Sequence, residues 1–274
     1  MLSWNLFHGR DFPPDPSLRK VRSVLFRATA HNSTHVQVNR SLYEEFAGVL
    51  SAANWDVCLL QECPPRWVDR LSEECQAAAY GALTSRNWLS FLRNPIAERN
   101  PDLMGSWEDG SNLTLVRPPW QLVEGTSVLL NPLRQRRLRE RRRLALTRLV
   151  DRDLEVCVGN LHLSTNADHA AREARRAAEA ALDWARGAPV LLGGDFNVRP
   201  GSSAVFEDLC DAASLCGTTS PDEIDHILAR SLDTMDPPVT WSPQRRELDV
   251  LTGLEHRRLR LSDHAPVEAR FLVR

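Results

Sequence analysis

The sequence predicts an α/β protein in which helices pack outside one mixed sheet or two sheets. Short apolar runs rich in Leu, Val and Ile recur along the chain, some separated by helical patterns and others following one another directly. The composition, 42% apolar and 26% charged over 274 residues, is that of a globular protein with a sizeable core. These observations exclude a disordered chain, a collagen-like chain and a small disulfide scaffold.

The predicted strands are short apolar runs, most of them bounded by Gly, Pro, Asn or Asp. In chain order they are Leu2–Phe7, Val57–Gln61, Leu113–Val116, Ser127–Leu130, Leu144–Val150, Leu154–Leu163, Val190–Phe196, Ile224–Ala229 and Pro266–Val273.

Three helices are expected between some of these strands. Ser41-Leu-Tyr-Glu44 has the spacing of a capping box and predicts a helix that continues to Ala53. The Ala-rich segment from Asn166 to Arg186 carries a wide apolar stripe and stops at Gly187 and Pro189. A third helix is predicted over residues 202–213.

Charge and cysteine content limit the class of protein further. The net charge of −2, from 34 basic and 36 acidic residues, does not by itself indicate a polyanion-binding protein. No apolar run approaches the ~18–20 residues that span a bilayer, and the first residues lack the features of a signal peptide. The six cysteines form no CxxC pair and are expected to be reduced thiols without zinc. Together these features predict a cytoplasmic protein.

Acidic, amide and imidazole side chains occur where six of the predicted strands begin or end. They are Asn5, Glu62, Asn160 with His162, Asp195 with Asn197, Asp225 with His226, and Asp263 with His264. Each group alone is explained more simply by a turn, a helix cap or a buried histidine. Six such groups in one chain predict that the side chains converge on one cleft. Their oxygen ligands would suit Mg²⁺ or Mn²⁺ rather than zinc.

These groups also carry a resemblance to a known family. The motifs, in chain order, are Ser3-Trp-Asn5, Leu59-Leu-Gln-Glu62, Gly159-Asn-Leu-His162-Leu, Gly193-Gly-Asp195-Phe-Asn197, Glu223-Ile-Asp225-His-Ile and Leu261-Ser-Asp263-His264-Ala-Pro-Val. Together they resemble the endonuclease/exonuclease/phosphatase superfamily. The resemblance implies a four-layer α/β sandwich, with two packed mixed β-sheets flanked by helices and the active site at one end. Because the motifs span nearly the whole chain, residues 1–274 are expected to form one domain.

The resemblance implies metal-dependent hydrolysis of a phosphoester. Glu62 would be the main ligand of Mg²⁺, or of Mn²⁺, with Asn5 and Asp263 close to the metal. Asp195 and Asn197 would position and activate the attacking water, and Asn197 would also contact the substrate. The Leu-Phe-His-Gly sequence after Asn5 lacks an Asp that some nucleases of the superfamily have there, so one metal ion is expected.

The histidines complete the implied catalytic set. Asp225 would hydrogen-bond one nitrogen of His264 and fix its tautomer. His264 would either take the proton of the attacking water or bind a phosphate oxygen. His162 would lie near the leaving group as a general acid or a phosphate ligand, and Asn160 would orient the phosphate. His8 is left with two interpretations, a loop histidine in water or a residue that approaches the site.

Two further features bear on the substrate. The run from Arg134 to Arg143 holds seven arginines and one glutamate, and it is either a phosphate-binding patch or a solvated hairpin. Trp88, Trp107, Trp120 and Trp241 either stack on bases or cover the core.

The sequence therefore predicts a Mg²⁺-dependent phosphodiesterase that acts on a phosphoester substrate, with nucleic acid as the leading candidate. A phosphatase, or a phospholipase- or sphingomyelinase-type hydrolase of a small or lipid phosphoester, is the second hypothesis. Ile224-Asp225-His226 stands where inositol phosphatases have Cys-Asp-Arg, which argues against that subfamily. A catalytically inactive binding module is the third hypothesis, and the intact set of acidic and imidazole groups argues against it.

Overall fold

Two facing β-sheets with helices on their outer sides form the fold. The computed structural model describes residues 1–19, 29–84, 110–131 and 141–273. In chain order the strands are β1 (Leu2–Asn5), β2 (Ala30–His31), β3 (Val36–Gln37), β4 (Val57–Cys63), β5 (Ala78–Leu83), β6 (Ser111–Val116), β7 (Gln121–Leu129), β8 (Arg143–Asp151), β9 (Leu154–His162), β10 (Val190–Asp195), β11 (Asp225–Arg230), β12 (Asp233–Thr240), β13 (Glu247–Thr252), β14 (Glu255–Arg260) and β15 (Val267–Leu272). The α-helices within these ranges are α1 (Tyr43–Ala52), α2 (Val68–Glu74), α3 (Ala167–Ala185) and α4 (Val205–Ala213).

Both large sheets are mixed. The first has six strands in the order β12-β15-β1-β4-β6-β5, and the second has five in the order β11-β10-β9-β8-β7. Strands β1 and β4 are parallel in the first sheet, as are β9 and β10 in the second, while the other neighbours are antiparallel. The carboxyl ends of the parallel pairs carry the motifs found in the sequence. Strands β13 and β14 form a separate hairpin, and β2 pairs with β3.

The alternation of side chains along β4 shows how the layers form. Cys58 and Leu60 belong to the cluster that packs under α1 and α2. Their neighbours Val57 and Leu59 face the other way and pack against strands of the second sheet. On the far side, the small side chains of α3 pack with α4 on the second sheet. The predicted four-layer α/β sandwich is therefore confirmed.

Helix boundaries follow the sequence prediction only in part. Helix α3 begins as predicted, because the Asn166 side chain accepts a hydrogen bond from the His169 N–H. The predicted capping box before α1 is wrong, since Leu42 is the N-cap residue and no side chain caps the helix. Helix α4 begins at Val205 because Pro200–Ser202 forms a separate 3₁₀ turn.

Six of the described strands were not predicted, namely β2, β3, β5, β12, β13 and β14. Strand β12 contains Pro237 and Pro238, and proline lacks the N–H that a strand inside a sheet would donate. The structure accommodates both prolines because β12 is an edge strand, where an N–H is dispensable. Strands β13 and β14 are rich in charged residues and lie outside the two large sheets, so no apolar run marks them.

Two of the six cysteines contradict the prediction of reduced thiols. Cys210 and Cys216 form a disulfide with their Cα atoms 4.7 Å apart. The chain turns back after α4 through Ser214, which has left-handed backbone angles, and Cys216 then pairs with Ala229 of β11. The other four cysteines are buried. The disulfide removes one of the grounds for the cytoplasmic prediction. No α-helix in the described part of the chain has the length and apolarity needed to cross a bilayer.

Candidate active site

Three predicted site residues form a row across the second sheet. Asp195 at the end of β10 is the register partner of His162 on β9 and of Asp225 on β11. Register partners project from the same face of a sheet, so the three side chains emerge side by side. All three are buried. The Asp195 Oδ2 atom lies 3.4 Å from Nε2 of His162.

The first sheet supplies the opposite wall of the site. Asn5 of β1 is the register partner of Gln61 of β4, and Glu62 follows at the point where the β4 ladder shifts its register. The Asn5 amide nitrogen donates a hydrogen bond of 3.1 Å to Asp195 Oδ2. Glu62 Oε1 lies 3.8 Å from Nε2 of His162. Side chains of the two sheets therefore meet directly at this end of the sandwich.

A tight turn before β15 brings in the remaining predicted residues, Asp263 and His264. Ser262 has a positive φ of 57°. Its hydroxyl donates to the Asn5 carbonyl and accepts from the His264 N–H. The Trp4 indole N–H donates to the His264 carbonyl over 3.0 Å. The turn is thus fastened to the end of β1 by two hydrogen bonds, and the third holds the turn itself in shape.

His264 makes the contact that the family resemblance implies. Its Nδ1 atom lies 2.7 Å from Oδ2 of Asp225, and its Nε2 atom lies 3.9 Å from Oδ2 of Asp195. Asp225 therefore orients the ring so that Nε2 faces Asp195 and the cleft. This arrangement leaves the Nε2 position of His264 available to a reacting group.

Electrostatics give Asp195 and His264 different protonation states. Burial raises the pKa of Asp195 to about 7, and the charges of Asp225 and Glu62 act in the same direction. Burial lowers the pKa of His264, but the carboxylates of Asp225, Asp195 and Asp263 together outweigh burial and raise that pKa to about 10. At neutral pH, His264 is therefore an imidazolium ion paired with Asp225, while Asp195 is close to its own midpoint.

His162 differs from His264 because it is held neutral. Burial lowers the pKa of His162 well below 6.5, and the nearby positive charge of Arg142 acts in the same direction. A neutral imidazole has one N–H donor and cannot act as a strong acid at neutral pH. The structure therefore favours His162 as a phosphate ligand over His162 as a general acid.

The carboxylates of the site fit a divalent cation. Asp195, Asp225 and His264 have ligand-type atoms within 4.8 Å of one another, but Nδ1 of His264 is already hydrogen-bonded to Asp225. Glu62 and Asp263 are the carboxylates that face the cleft, with 20% and 29% of their side chains exposed. Burial raises the pKa of Asp263, and the Glu62 charge contributes to the rise. Negative charge concentrated on oxygen ligands suits Mg²⁺ or Mn²⁺.

Comparison with known proteins agrees with this geometry. The model of the Endonuclease/Exonuclease/phosphatase family matches residues 2–264, nearly the full chain. The chain belongs to this family. No curated protein matches the sequence.

Solved structures of the endonuclease/exonuclease/phosphatase family share the fold. A mannosyl-6-phosphatase of Bacteroides thetaiotaomicron is 16% identical, with 99% of each chain covered and a TM-score of 0.65. The catalytic domain of human Nocturnin with bound sulfate is 18% identical, with 80% of this chain and 81% of that chain covered and a TM-score of 0.53. A humanized D. rerio TDP2 is 14% identical, with 99% and 97% covered and a TM-score of 0.51.

Asn160 is a predicted site residue whose side chain does not reach the cleft. It is fully buried between the two sheets. Its amide nitrogen donates to the carbonyls of Leu60 and Leu113, and its amide oxygen accepts from Gln61 over 2.8 Å. This placement does not support the predicted contact with phosphate and gives Asn160 a structural role, since it joins the sheets.

Asn197 does lie beside the predicted base. Its backbone N–H donates to Oδ1 of Asp195 over 2.9 Å, and its side-chain nitrogen donates to the Leu163 carbonyl. Asn197 has a positive φ of 52°, which directs the chain back toward the site. The hydrogen bond to Asp195 is consistent with the predicted positioning role.

The structure covers only some of the residues that the sequence analysis connected with the substrate. Residues 132–140 of the Arg-rich run, together with Trp88 and Trp107, lie outside the described residues. Arg142, near the end of the run, is buried and close enough to influence His162. Trp241 is buried in the core and Trp120 packs against the apolar layer between the sheets, so both cover the core.

Arg246 is a site residue that the sequence analysis missed. Its Nη1 atom donates hydrogen bonds to the carbonyls of Leu261, Ser262 and His264, which lie in the turn that carries the His264 ring. Arg246 is buried, and burial lowers its pKa to about 10. In the sequence it stands in an ordinary charged segment, so no local signal distinguishes it from its neighbours.

Replacement of Arg246 by methionine is expected to lower kcat at least about tenfold and to destabilise the protein by about 2–4 kcal/mol, because several buried carbonyls lose their donor. Arg246→Lys is expected to retain more activity, since one ammonium group can donate three hydrogen bonds. The measurements are steady-state kinetics and thermal unfolding. Arg245→Met, which alters an exposed ion pair with Glu268, is the matched control. Equal effects of Arg246→Met and Arg245→Met would contradict this role.

Proposed function

We propose that this chain is a metal-dependent phosphoester hydrolase and that phosphodiesters, nucleic acid among them, are its main substrates. The observation that carries the proposal is the convergence of the Asp195, Asp225 and His264 group with the cleft-facing carboxylate of Glu62. Asp195 and His264 have widely separated pKa values, of about 7 and about 10. Such a pair supports acid–base chemistry at this end of the sandwich.

The residues suited to hold the cation are Glu62 and Asp263, with the carboxamide oxygen of Asn5 as a third ligand. A bound Mg²⁺ or Mn²⁺ would neutralise charge on the phosphate and on the departing oxygen. The proposal uses one such ion.

Asp195 is placed to accept a proton from the attacking water. Its Oδ1 accepts a hydrogen bond from the Asn197 N–H, and its Oδ2 accepts one from Asn5. These two bonds hold the carboxylate in one orientation. A pKa of about 7 matches a general base that works near neutral pH, because such a group is both deprotonated and basic there.

His264 and His162 are placed to hold the phosphate. The imidazolium of His264 donates one N–H to Asp225, which leaves its Nε2–H for a non-bridging phosphate oxygen. His162 adds a neutral donor, and the buried cation of Arg142 adds positive charge nearby. The high pKa of His264 supports phosphate binding rather than proton abstraction, the two roles that the sequence left open.

A phosphomonoesterase is the second candidate. The observation in its favour is the similarity of this chain, over nearly its whole length, to a mannosyl-6-phosphatase. A monoester would use the same carboxylates and histidines, so the two candidates differ only in what the cleft admits beyond the phosphate.

A panel of substrates tests the proposed function. We expect hydrolysis of plasmid DNA, RNA or bis-p-nitrophenyl phosphate with Mg²⁺ or Mn²⁺, complete loss of activity in EDTA, and little turnover of p-nitrophenyl phosphate. Glu62→Gln is expected to lose at least about tenfold in metal affinity and most activity, whereas exposed Glu73→Gln stays unchanged. Monoester turnover without diester turnover would favour the phosphatase, and activity that survives EDTA would contradict the metal role.

A further inference from the structure

The turn after β1 has an unusual backbone. Phe7, His8 and Gly9 all have positive φ values, of 51°, 55° and 75°. A side chain disfavours this left-handed conformation, because its Cβ atom comes too close to the following carbonyl oxygen. The turn is held by packing, since the Trp67 ring lies where a Cβ atom on Gly9 would stand, at 2.2 Å. Unfavourable backbone angles that the surrounding structure holds in place often indicate a functional site.

This turn delivers His8 to Glu62. The Leu6 N–H donates to the Gln61 carbonyl over 2.9 Å, so the ends of β1 and β4 stay paired up to the site. His8 Nε2 then lies 3.2 Å from Oε2 of Glu62, and only 3% of the His8 side chain is exposed. Glu62 also has a positive φ, of 48°. Two adjacent strand ends therefore depart from ordinary geometry at the point where they bring an imidazole nitrogen beside a carboxylate oxygen.

We propose that His8 is a ligand of the same cation as Glu62 and makes this centre select Mn²⁺ over Mg²⁺. The inference rests on the proposed function, which places a divalent cation at Glu62. Two neighbouring ligands of one octahedral ion, each about 2.1 Å from it, are about 3 Å apart. The separation of His8 Nε2 from Glu62 Oε2 has this size.

A nitrogen ligand changes which metal the site prefers. Mg²⁺ is a hard ion that takes oxygen ligands, whereas imidazole binds first-row transition metals well. A role of His8 in orienting Glu62 alone would support binding of both ions equally. The ratio of the two affinities therefore distinguishes a ligand from a residue that orients Glu62.

The test is calorimetric titration of the metal-free protein with MnCl₂ and MgCl₂. We expect wild type to bind Mn²⁺ at least about tenfold more tightly than Mg²⁺. His8→Asn is expected to weaken Mn²⁺ binding about 10–100-fold and Mg²⁺ binding by less than about threefold. The matched control is His256→Asn, which replaces an exposed histidine of β14. Pulsed EPR of the Mn²⁺-loaded protein should show a directly bonded nitrogen in wild type and in the control but not in His8→Asn.

The possible outcomes test the assignment of His8 and the proposed function separately. Equal weakening of Mn²⁺ and Mg²⁺ binding, or no weakening, overturns the assignment of His8 and leaves the proposed function standing. A wild-type protein that binds neither ion overturns both. If His8→Asn does not fold, wild type alone decides, because equal affinity for the two ions or a Mn²⁺ spectrum without bonded nitrogen overturns the assignment.

Discussion

Replacement of Asp195 by asparagine is expected to lower phosphoester turnover by about 10²–10⁴-fold while the chain stays folded. The variant keeps the size of the side chain and removes the carboxylate that we propose as the acceptor of the proton of the attacking water. The rise of activity with pH through about 7, set by the pKa of Asp195, should disappear together with the turnover. The measurement is a pH–rate profile of wild type and variant. Near wild-type turnover in Asp195→Asn would overturn the assignment.

The same substitution has an opposite effect on stability at neutral pH. Because the pKa of Asp195 in the folded protein, about 7, lies above its ordinary value of 3.8, folding favours the protonated form. Its contribution to stability is greatest below about pH 4 and is lost as pH rises through 7. The Tm of Asp195→Asn minus that of metal-free wild type should therefore increase from pH 4 to pH 8. We expect a change of several degrees, since about 1 kcal/mol shifts Tm by about 2–4 °C in chains near this size.

The control for this comparison is Asp153→Asn, in the exposed turn between β8 and β9. Its Tm difference from wild type should stay nearly constant over the same pH range, because the Asp153 side chain is exposed and lies outside the site. A constant difference for Asp195→Asn as well would show that burial does not raise the pKa of Asp195.

Removal of the His264 ring is expected to have the second large effect, a loss of about 10²–10⁴-fold in turnover for His264→Ala. The ring carries the Nε2–H that faces Asp195 and the cleft, where the neighbouring His162 is held neutral. Near wild-type turnover in His264→Ala would contradict its place in the site.

Asp225→Asn distinguishes the two roles that His264 could have. The variant removes the largest of the charge effects that raise the pKa of His264 to about 10, so that pKa should fall toward or below 6.5. If the protonated ring binds phosphate, Asp225→Asn keeps activity at low pH and loses it as pH rises through the new pKa. If the neutral ring takes a proton, activity of the variant rises with pH instead. Exposed Asp222→Asn, on the segment before β11, should follow the wild-type profile.

The sequence predicted most of the site because its side chains belong to short polar groups at the ends of apolar runs. Asp195 and Glu62 are recognisable in this way without the fold. The contact between Asp225 and His264 came from the family resemblance, because no spacing along the chain connects residues 39 positions apart. Arg246 could not be found, since its function depends on three carbonyls that only the folded chain brings together.

Other differences between the sequence predictions and the structure also have local causes. Asn160 lies two residues before His162 and projects from the same face of β9, but it lies farther from the end of the strand, where Leu60, Gln61 and Leu113 take up its hydrogen bonds. The spacing of Cys210 and Cys216 allows either thiols or a disulfide, and the left-handed turn after α4 decides between them. The Ser41–Glu44 pattern has the residues of a capping box, yet the helix begins one residue too late for Ser41 to cap it.

The hydrogen bond between Gln61 and Asn160 also determines how the site moves. One sheet cannot slide past the other without breaking this bond and leaving two buried amides unsatisfied, at about 1–3 kcal/mol each. Such sliding would separate Glu62 from His162, because each lies within two residues of the bonded pair. Local unfolding that costs little free energy is therefore expected in other parts of the chain and not at this end of the sandwich. Separation of the two walls of the site therefore carries this added cost, which favours a constant relative position of its halves from one turnover to the next.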